Sequence, residues 1–496
     1  MKFIVFLTFW VLSSGFLKAQ TQGASYTDVG RGVATTFVTD YHALGINTSA
    51  LGIPSRYGKK FTTGMTEFNL GLYSDSLSVD RLKSLYGAIR DQVTGKEIPQ
   101  STWQEQKNNA QDYALSGLSI DASYNWFGWS YQGKRFGGIA LSISEHYNWY
   151  SRLNQSTSDI IFQGKLSSYF DSLTVVFGTD TSMIQNTGTL TQDTLDNVIE
   201  GTVSVPLNLS GLTNGSNIRF TWNRHYNIGY GRKVFGNDSV FAFYAGIGGR
   251  FIQSMAMVDL ISDDNGIRMN SSISPGFNLN YGSISNLNPS SFYQTGGIPI
   301  PVGTGYGVDV SASVKMFGMF TIAASVNNLG AVKYKRNVYS VRDTLVSNMS
   351  LSGLDDVNIT NSLSPMFEEG GFLSLEGKES YTVKNAANFR LGASLDLGKF
   401  ASLGFDLVAP FDSGIPGSIV NPIYSIGMDL NVVKWLTLSA GYFGGGIYKD
   451  NIPVGINFVF GDGTYEFGIS SRDAITFFLN DSNSISTAFG FARVRF

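Results

Sequence analysis

Cysteine is absent from all 496 residues, which excludes a disulfide framework and every thiol-based nucleophile or metal site. Charge is scarce too. Asp, Glu, Lys and Arg make up 15% of the chain, against roughly 25% in soluble domains, and a soluble exported chain of this size would need more to stay dispersed. Long apolar runs are also missing. Beyond the extreme N-terminus no stretch approaches about 18 consecutive apolar residues, so helical membrane spans are excluded. Histidine occurs only as His42, His146 and His225, and there is no Gly-x-Ser-x-Gly, His-Glu-x-x-His or phosphate-cradling glycine loop. The chain therefore reads as a non-enzyme, with no catalytic residue, no metal site and no cofactor. A net charge of −3 offers no basic surface for nucleic acid.

Glycine (57), phenylalanine (36) and tyrosine (24) are plentiful, and the apolar residues fall in strict alternation. Phe389, Leu391, Ala393, Leu395 and Leu397 share one face, against Arg390, Gly392, Ser394 and Asp396. Tyr424, Ile426, Met428, Leu430 and Val432 oppose Ser425, Gly427, Asp429 and Asn431. Side chains of a strand point to opposite faces with period two, so each such segment has one oily and one polar surface. Residues 1–19 supply the context. Lys2, an apolar stretch from Phe3 to Leu17 and the small Ala19 predict a signal peptide cut after Ala19. In an exported protein of this composition the oily face is expected to meet lipid rather than a second sheet.

Clean alternation marks residues 65–73, 117–127, 135–147, 217–231, 239–256, 305–316, 319–333, 388–397, 399–409, 422–432, 435–444, 451–460, 464–471 and 486–496. A further stretch, 266–280, is interrupted by Pro275 and is assigned to a loop. Connections alternate between short and long along the chain, the long ones being 74–116, 148–216, 257–304 and 334–387. Short turns on one side and long loops on the other are the signature of an outer-membrane barrel with both termini in the periplasm. The expected fold is all-β: a 14-stranded antiparallel transmembrane β-barrel over residues 61–496, with residues 20–60 as an N-terminal plug in the lumen. Within the first long loop, Val79, Leu82, Leu85 and Ile89 predict a helix over 79–91. No second domain is expected.

Two stretches carry a family resemblance. Residues 39–52, Thr-Asp-Tyr-His-Ala-Leu-Gly-Ile-Asn-Thr-Ser-Ala-Leu-Gly, resemble the "D-x-x-A-x-x-x-N-P-A-x-L" segment of FadL-like outer-membrane transporters and their PorV-type relatives of type 9 secretion. Asn47 and Leu51 match that pattern, whereas Thr48 and Ser49 replace its Pro and Ala. Val326–Lys333 is similar to an "N-L-G" strand end in the same relatives, and Arg472-Asp473 and the C-terminal Phe491–Phe496 look like an uncharacterised Bacteroidota branch of that superfamily. The resemblance implies a plug inside the barrel and passage or binding of small hydrophobic molecules. The PorV-like alternative it implies is a non-transporting accessory or shuttle subunit of a secretion or assembly complex. Implied partners are outer-membrane lipid, a hydrophobic small molecule, and other envelope proteins meeting the extracellular loops.

Candidate plug and ligand-path residues are Asp40, Asn47 and Leu51, together with Phe489 and Phe491. With Phe496 set against lipid, parity turns those two phenylalanines inward, as a ligand-path patch or as ordinary interior packing. Arg390, Asp396, Asp406 and Asp429, with Asp309, Lys315, Arg250 and Arg219, fall on the predicted inner face. They would either hold the plug by salt bridges or line an aqueous path. The repeated His146-Tyr147-Asn148 and His225-Tyr226-Asn227 are expected as a polar-aromatic rim at the outer ends of neighbouring strands.

Overall fold

The alternating segments become a closed ring of antiparallel strands in the computed structural model. It describes residues 25–496 apart from 95–99, 134, 189, 278–287, 293–297, 352, 354–373, 448–449 and 479–482. The predicted signal peptide lies outside the described residues. In chain order the staves are β1 (Phe61–Ser74), β2 (Leu118–Gly133), β3 (Gly137–Arg152), β4 (Asn217–Asn237), β5 (Phe241–Asp263), β6 (Gly303–Met316) and β7 (Phe320–Tyr334). They continue as β8 (Asn388–Asp396), β9 (Ala401–Pro410), β10 (Ile423–Val433), β11 (Leu436–Gly445), β12 (Val454–Phe460), β13 (Tyr465–Ser471) and β14 (Ser484–Arg495). Each pairs with its chain neighbours, and β1 pairs with β14, Thr62 opposite Arg495 and Tyr73 opposite Ser484. The ring therefore closes as a 14-stranded barrel with no free edge, so the staves' ladder hydrogen bonds need no help from solvent.

The outer wall is apolar. Ile247, Leu403, Ile426, Val432 and Ile456 stand exposed, while their neighbours Ser425, Asp406 and Ser439 are buried. An oily surface running right round a cylinder is stable only against hydrocarbon. At one end the staves are joined by tight turns, helped by left-handed glycines such as Gly398 and Gly463. At the other end the loops carry structure of their own.

That loop-end structure goes beyond the sequence expectation. β4 and β5 run for 21 and 23 residues, about twice the 9–11 needed to cross a bilayer, so they rise past the barrel. Against the upper part of β5 lies Gly266–Ile273, the stretch read as loop. It is a strand, pairing Ala256–Asp263 on one side and Val338–Ser340 on the other. The alternation there is weak because this strand stands above the ring, outside the staves. Residues 345–349, 198–208, 172–177 and 180–185 form a separate four-stranded sheet drawn from two long loops. The helix expected at 79–91 spans Val79–Val93, and a second, Gln100–Ser116, follows it.

Candidate functional site

The N-terminal segment lies against the inner wall, and its local structure begins with a capped helix. Ser25 accepts from the Asp28 amide, opening Tyr26–Arg31, and Gly32 closes it in the left-handed conformation. Two short 3-10 turns follow, Asp40–Ala43 and Thr48–Gly52. The segment's polar groups are met by several staves. Arg31 reaches Asp429 of β10 at 2.6 Å and Asp28 at 2.8 Å. Asp406 of β9 accepts from the amides of Ala34 (2.8 Å) and Thr35 (2.9 Å). Ser470 of β13 donates to the Tyr26 carbonyl at 2.6 Å, and Ser325 of β7 to that of Ile46 at 2.6 Å.

The predicted residues sort as follows. Asp40 is buried and accepts from Arg493 of β14 at 2.5 Å. Asn47 is buried, donates to the Thr35 carbonyl at 2.8 Å and to Ser313 of β6 at 3.2 Å. Leu51 packs in a cluster with Tyr41, Ile46 and Ala140 of β3. Asp406 and Asp429 meet the segment as described above, and Arg390 is buried on the same inner side. Asp396 stands apart, half-buried near the turn end and accepting from Ser402 at 3.4 Å. Around Asp40 the charges are tightly composed: Glu466 accepts from both Arg493 and Arg495, and Glu67 of β1 accepts from Tyr41 at 2.7 Å and meets His42 at 2.8 Å.

Glycines make this docking possible. A β-carbon at Gly64 or Gly128 would overlap the Tyr41 ring, and one at Gly490 the Tyr26 ring. These residues are among the places where wall and segment approach closest.

Phe489 and Phe491 require a correction. Both face outward, 39% and 68% exposed, with Phe489 against Phe68 of β1. Parity fails because the strand carries a bulge: Glu466 faces Arg493, yet Gly468 faces Gly490, so β14 holds one extra residue between them. The insertion reverses the faces. Above it Gly490 is inward; below it Arg493 and Arg495 are. Matching irregularities occur at Thr66, which has φ of 60°, and between Asn125 and Phe127.

Above the segment lies a cavity of about 150 Å³. Tyr41, His42, Leu44 and Ile46 line it from the segment, and Asn385, Ala386, Pro416 and Gly417 line it from the loop end. Ile252, Val332 and Val383 give it an apolar patch, set among polar groups that include Asn327, Asn328 and Lys384, while β2, β3 and β4 contribute a face rich in serine and asparagine. His146 and His225 belong to this side, their rings 4.4 Å apart and Ser144 within 2.9 Å of His146. They line the lumen and form no rim. The missed signal was their phase: His146 shares parity with Ser142, Ser144 and Asn148. Among the described residues no group of three or more His, Asp or Glu is arranged to hold a metal ion. The chemistry on offer is hydrogen bonding beside apolar contact.

The model of a family described as of unknown function (DUF5723) matches residues 152–462, more than half of the chain. No curated protein sequence matches. Among solved structures, the chain is similar to the toluene transporter TodX of Pseudomonas putida at 10% identity, covering 96% of this chain and 98% of that one, TM-score 0.44. It is similar to the monoaromatic hydrocarbon channel CymD at 9% identity, covering 96% and 98%, TM-score 0.44. A FadL homologue from Pseudomonas aeruginosa is similar at 11% identity, covering 97% and 99%, TM-score 0.42.

Proposed function

For this chain, which belongs to the family of unknown function DUF5723, we propose the role of a FadL-like outer-membrane barrel that binds and passes small hydrophobic molecules. The observation that carries this reading is the cavity between the N-terminal segment and the wall, with its apolar patch of Ile252, Val332 and Val383. In this reading residues 20–60 plug the lumen, and the tight-turn end, with both termini, faces the periplasm. Asp40, Asn47 and Leu51 keep the plug seated, and the interior charges Asp406 and Asp429 hold it by accepting from its amides and from Arg31. The oily wall takes outer-membrane lipid as its first partner.

Solvent extraction of gently purified protein, followed by mass spectrometry, tests the proposal. An apolar molecule retained near one-to-one, and lost in Ile252→Trp, is the expected result. Recovery of nothing from either protein refutes it.

One feature favours a PorV-like accessory role as the second reading. The four-stranded sheet of the long loops exposes Phe177, Met183, Val205, Leu207 and Leu345 to solvent, an apolar set of the kind that partner proteins cover. Affinity purification from mildly solubilised membranes discriminates. An envelope protein recovered with the barrel, and lost when Val205 and Leu207 become Ser, supports the accessory role; recovery of the barrel alone refutes it.

A further inference from the structure

At the tight-turn end of the barrel a cation and an aromatic ring recur side by side in the chain. Arg56-Tyr57 and Lys60-Phe61 lead into β1, Arg135-Phe136 joins β2 to β3, Lys399-Phe400 joins β8 to β9, and Lys434-Trp435 joins β10 to β11. The five cations are exposed, and among the described residues none of them is in an ion pair. Arg56 donates to the Gly398 carbonyl at 3.2 Å, which sets its guanidinium against the turn that carries Lys399. Carboxylates in the tight turns are few. Asp238 is already held by Lys233 at 2.8 Å, and Asp462 stands in the β12–β13 turn. The first long loop differs: Arg81 meets Asp112 at 2.8 Å, Lys83 meets Asp80 at 3.1 Å and Arg90 meets Asp91 at 2.9 Å.

The rings beside these cations carry the oily outer wall down to its rim. Phe136, Phe400 and Phe496 are 59%, 73% and 60% exposed. Phe61 stacks on Phe496 across the β1–β14 seam at 5.6 Å, and Trp435 on Phe460 at 6.3 Å, so the belt passes from strand to strand. Aromatic rings at the margin of a lipid-facing wall settle at headgroup depth. A Lys or Arg one residue away is then held at the level of the phosphates, its aliphatic stem lying along the apolar rim. A cation so placed favours a negatively charged surface by a factor of about five. An acidic soluble protein would meet the same charges, but the exposed rings around them fit a bilayer margin and not an aqueous face.

We propose that the tight-turn rim recruits phospholipids of net negative headgroup, with Arg56, Lys60, Arg135, Lys399 and Lys434 holding their phosphates. The premise is the membrane placement argued above; what the cavity carries plays no part. The test reconstitutes the full-length protein into phosphatidylcholine vesicles with a trace of spin-labelled phosphatidylglycerol or spin-labelled phosphatidylcholine. Electron spin resonance reads the fraction of each that is immobilised against the barrel. Phosphatidylglycerol is expected to be preferred about twofold or more at low salt, and to lose that preference in about 1 M salt, where screening is nearly complete. Lys60→Gln, Arg135→Gln, Lys399→Gln and Lys434→Gln combined should equalise the two lipids. Arg268→Gln with Lys378→Gln, which removes exposed cations of the loop end, should leave the preference unchanged. Heat-modifiable gel mobility checks that each variant forms the barrel, and should the fourfold variant fail to, the salt series on the unaltered protein decides. Equal immobilisation at low salt overturns the inference and leaves the membrane barrel standing. So does a preference that ignores salt, survives the fourfold variant or vanishes in the loop-end variant. No immobilised fraction of either lipid overturns the membrane placement as well.

Discussion

Arg493 is the single side chain whose removal should loosen the N-terminal segment most cleanly. Its guanidinium gives Asp40 a 2.5 Å contact and Thr39 a 3.1 Å hydrogen bond, and lies 3.4 Å from Glu466. In Arg493→Met, Glu466 keeps Arg495, but Asp40 is left with Arg495 at 3.8 Å and contacts of 3.4 Å from Thr39 and His42. Breaking a buried ion pair costs about 3–5 kcal/mol, and the distant Arg495 places this case near the lower end. The barrel's ladder does not depend on that side chain, so the loss should fall on docking. About 3 kcal/mol corresponds to a roughly 150-fold shift toward the undocked segment. Amide hydrogen exchange across residues 39–47, in detergent-solubilised protein, measures it directly. Adding Asp40→Asn removes the stranded carboxylate and should restore most of the protection, because neutralising both partners costs far less than removing one. Acceleration below about fivefold in Arg493→Met, or no recovery in the double variant, would refute the reasoning.

Gly128→Leu should expel Tyr41 from its seat, because even a β-carbon there overlaps the ring. The expected result is faster protease cleavage between residues 35 and 55 with gel mobility of the folded barrel unchanged. The absence of native cysteine makes a spin-label scan of β14 direct. Labels at Phe489→Cys and Phe491→Cys should be highly accessible to dissolved oxygen, and a label at Arg493→Cys should not. Equal accessibility at 489, 491 and 493, as an uninterrupted period of two requires, would dismiss the bulge.

The fourteen staves were legible because a half-lipid, half-lumen strand has no choice but to alternate, and because short and long connections had to alternate with them. The same parity argument misled at Phe489 and Phe491, since one inserted residue reverses every face beyond it and leaves no mark on the local pattern. The resemblance singled out Asp40, Asn47 and Leu51 as candidates, and strand phase put Asp406 and Asp429 on the inner face, where the N-terminal segment meets them. The cavity could not: its asparagines come from several strands, and none is unusual in its own segment. Gly266–Ile273 and the four-stranded loop sheet escaped for a related reason. They lie above the bilayer region, where a strand has no lipid face to impose a period.

The ties of the segment to Asp406, Asp429 and Ser470 on one side, and to Ser313 and Ser325 on the other, have a consequence for biogenesis. A filling stitched to opposite walls cannot be pushed in like a cork once the cylinder is sealed, because its partners would already be enclosed and unmatched. The seam of β14 on β1 lies against Tyr26 and Tyr41, so the segment is expected to be in place before that seam closes.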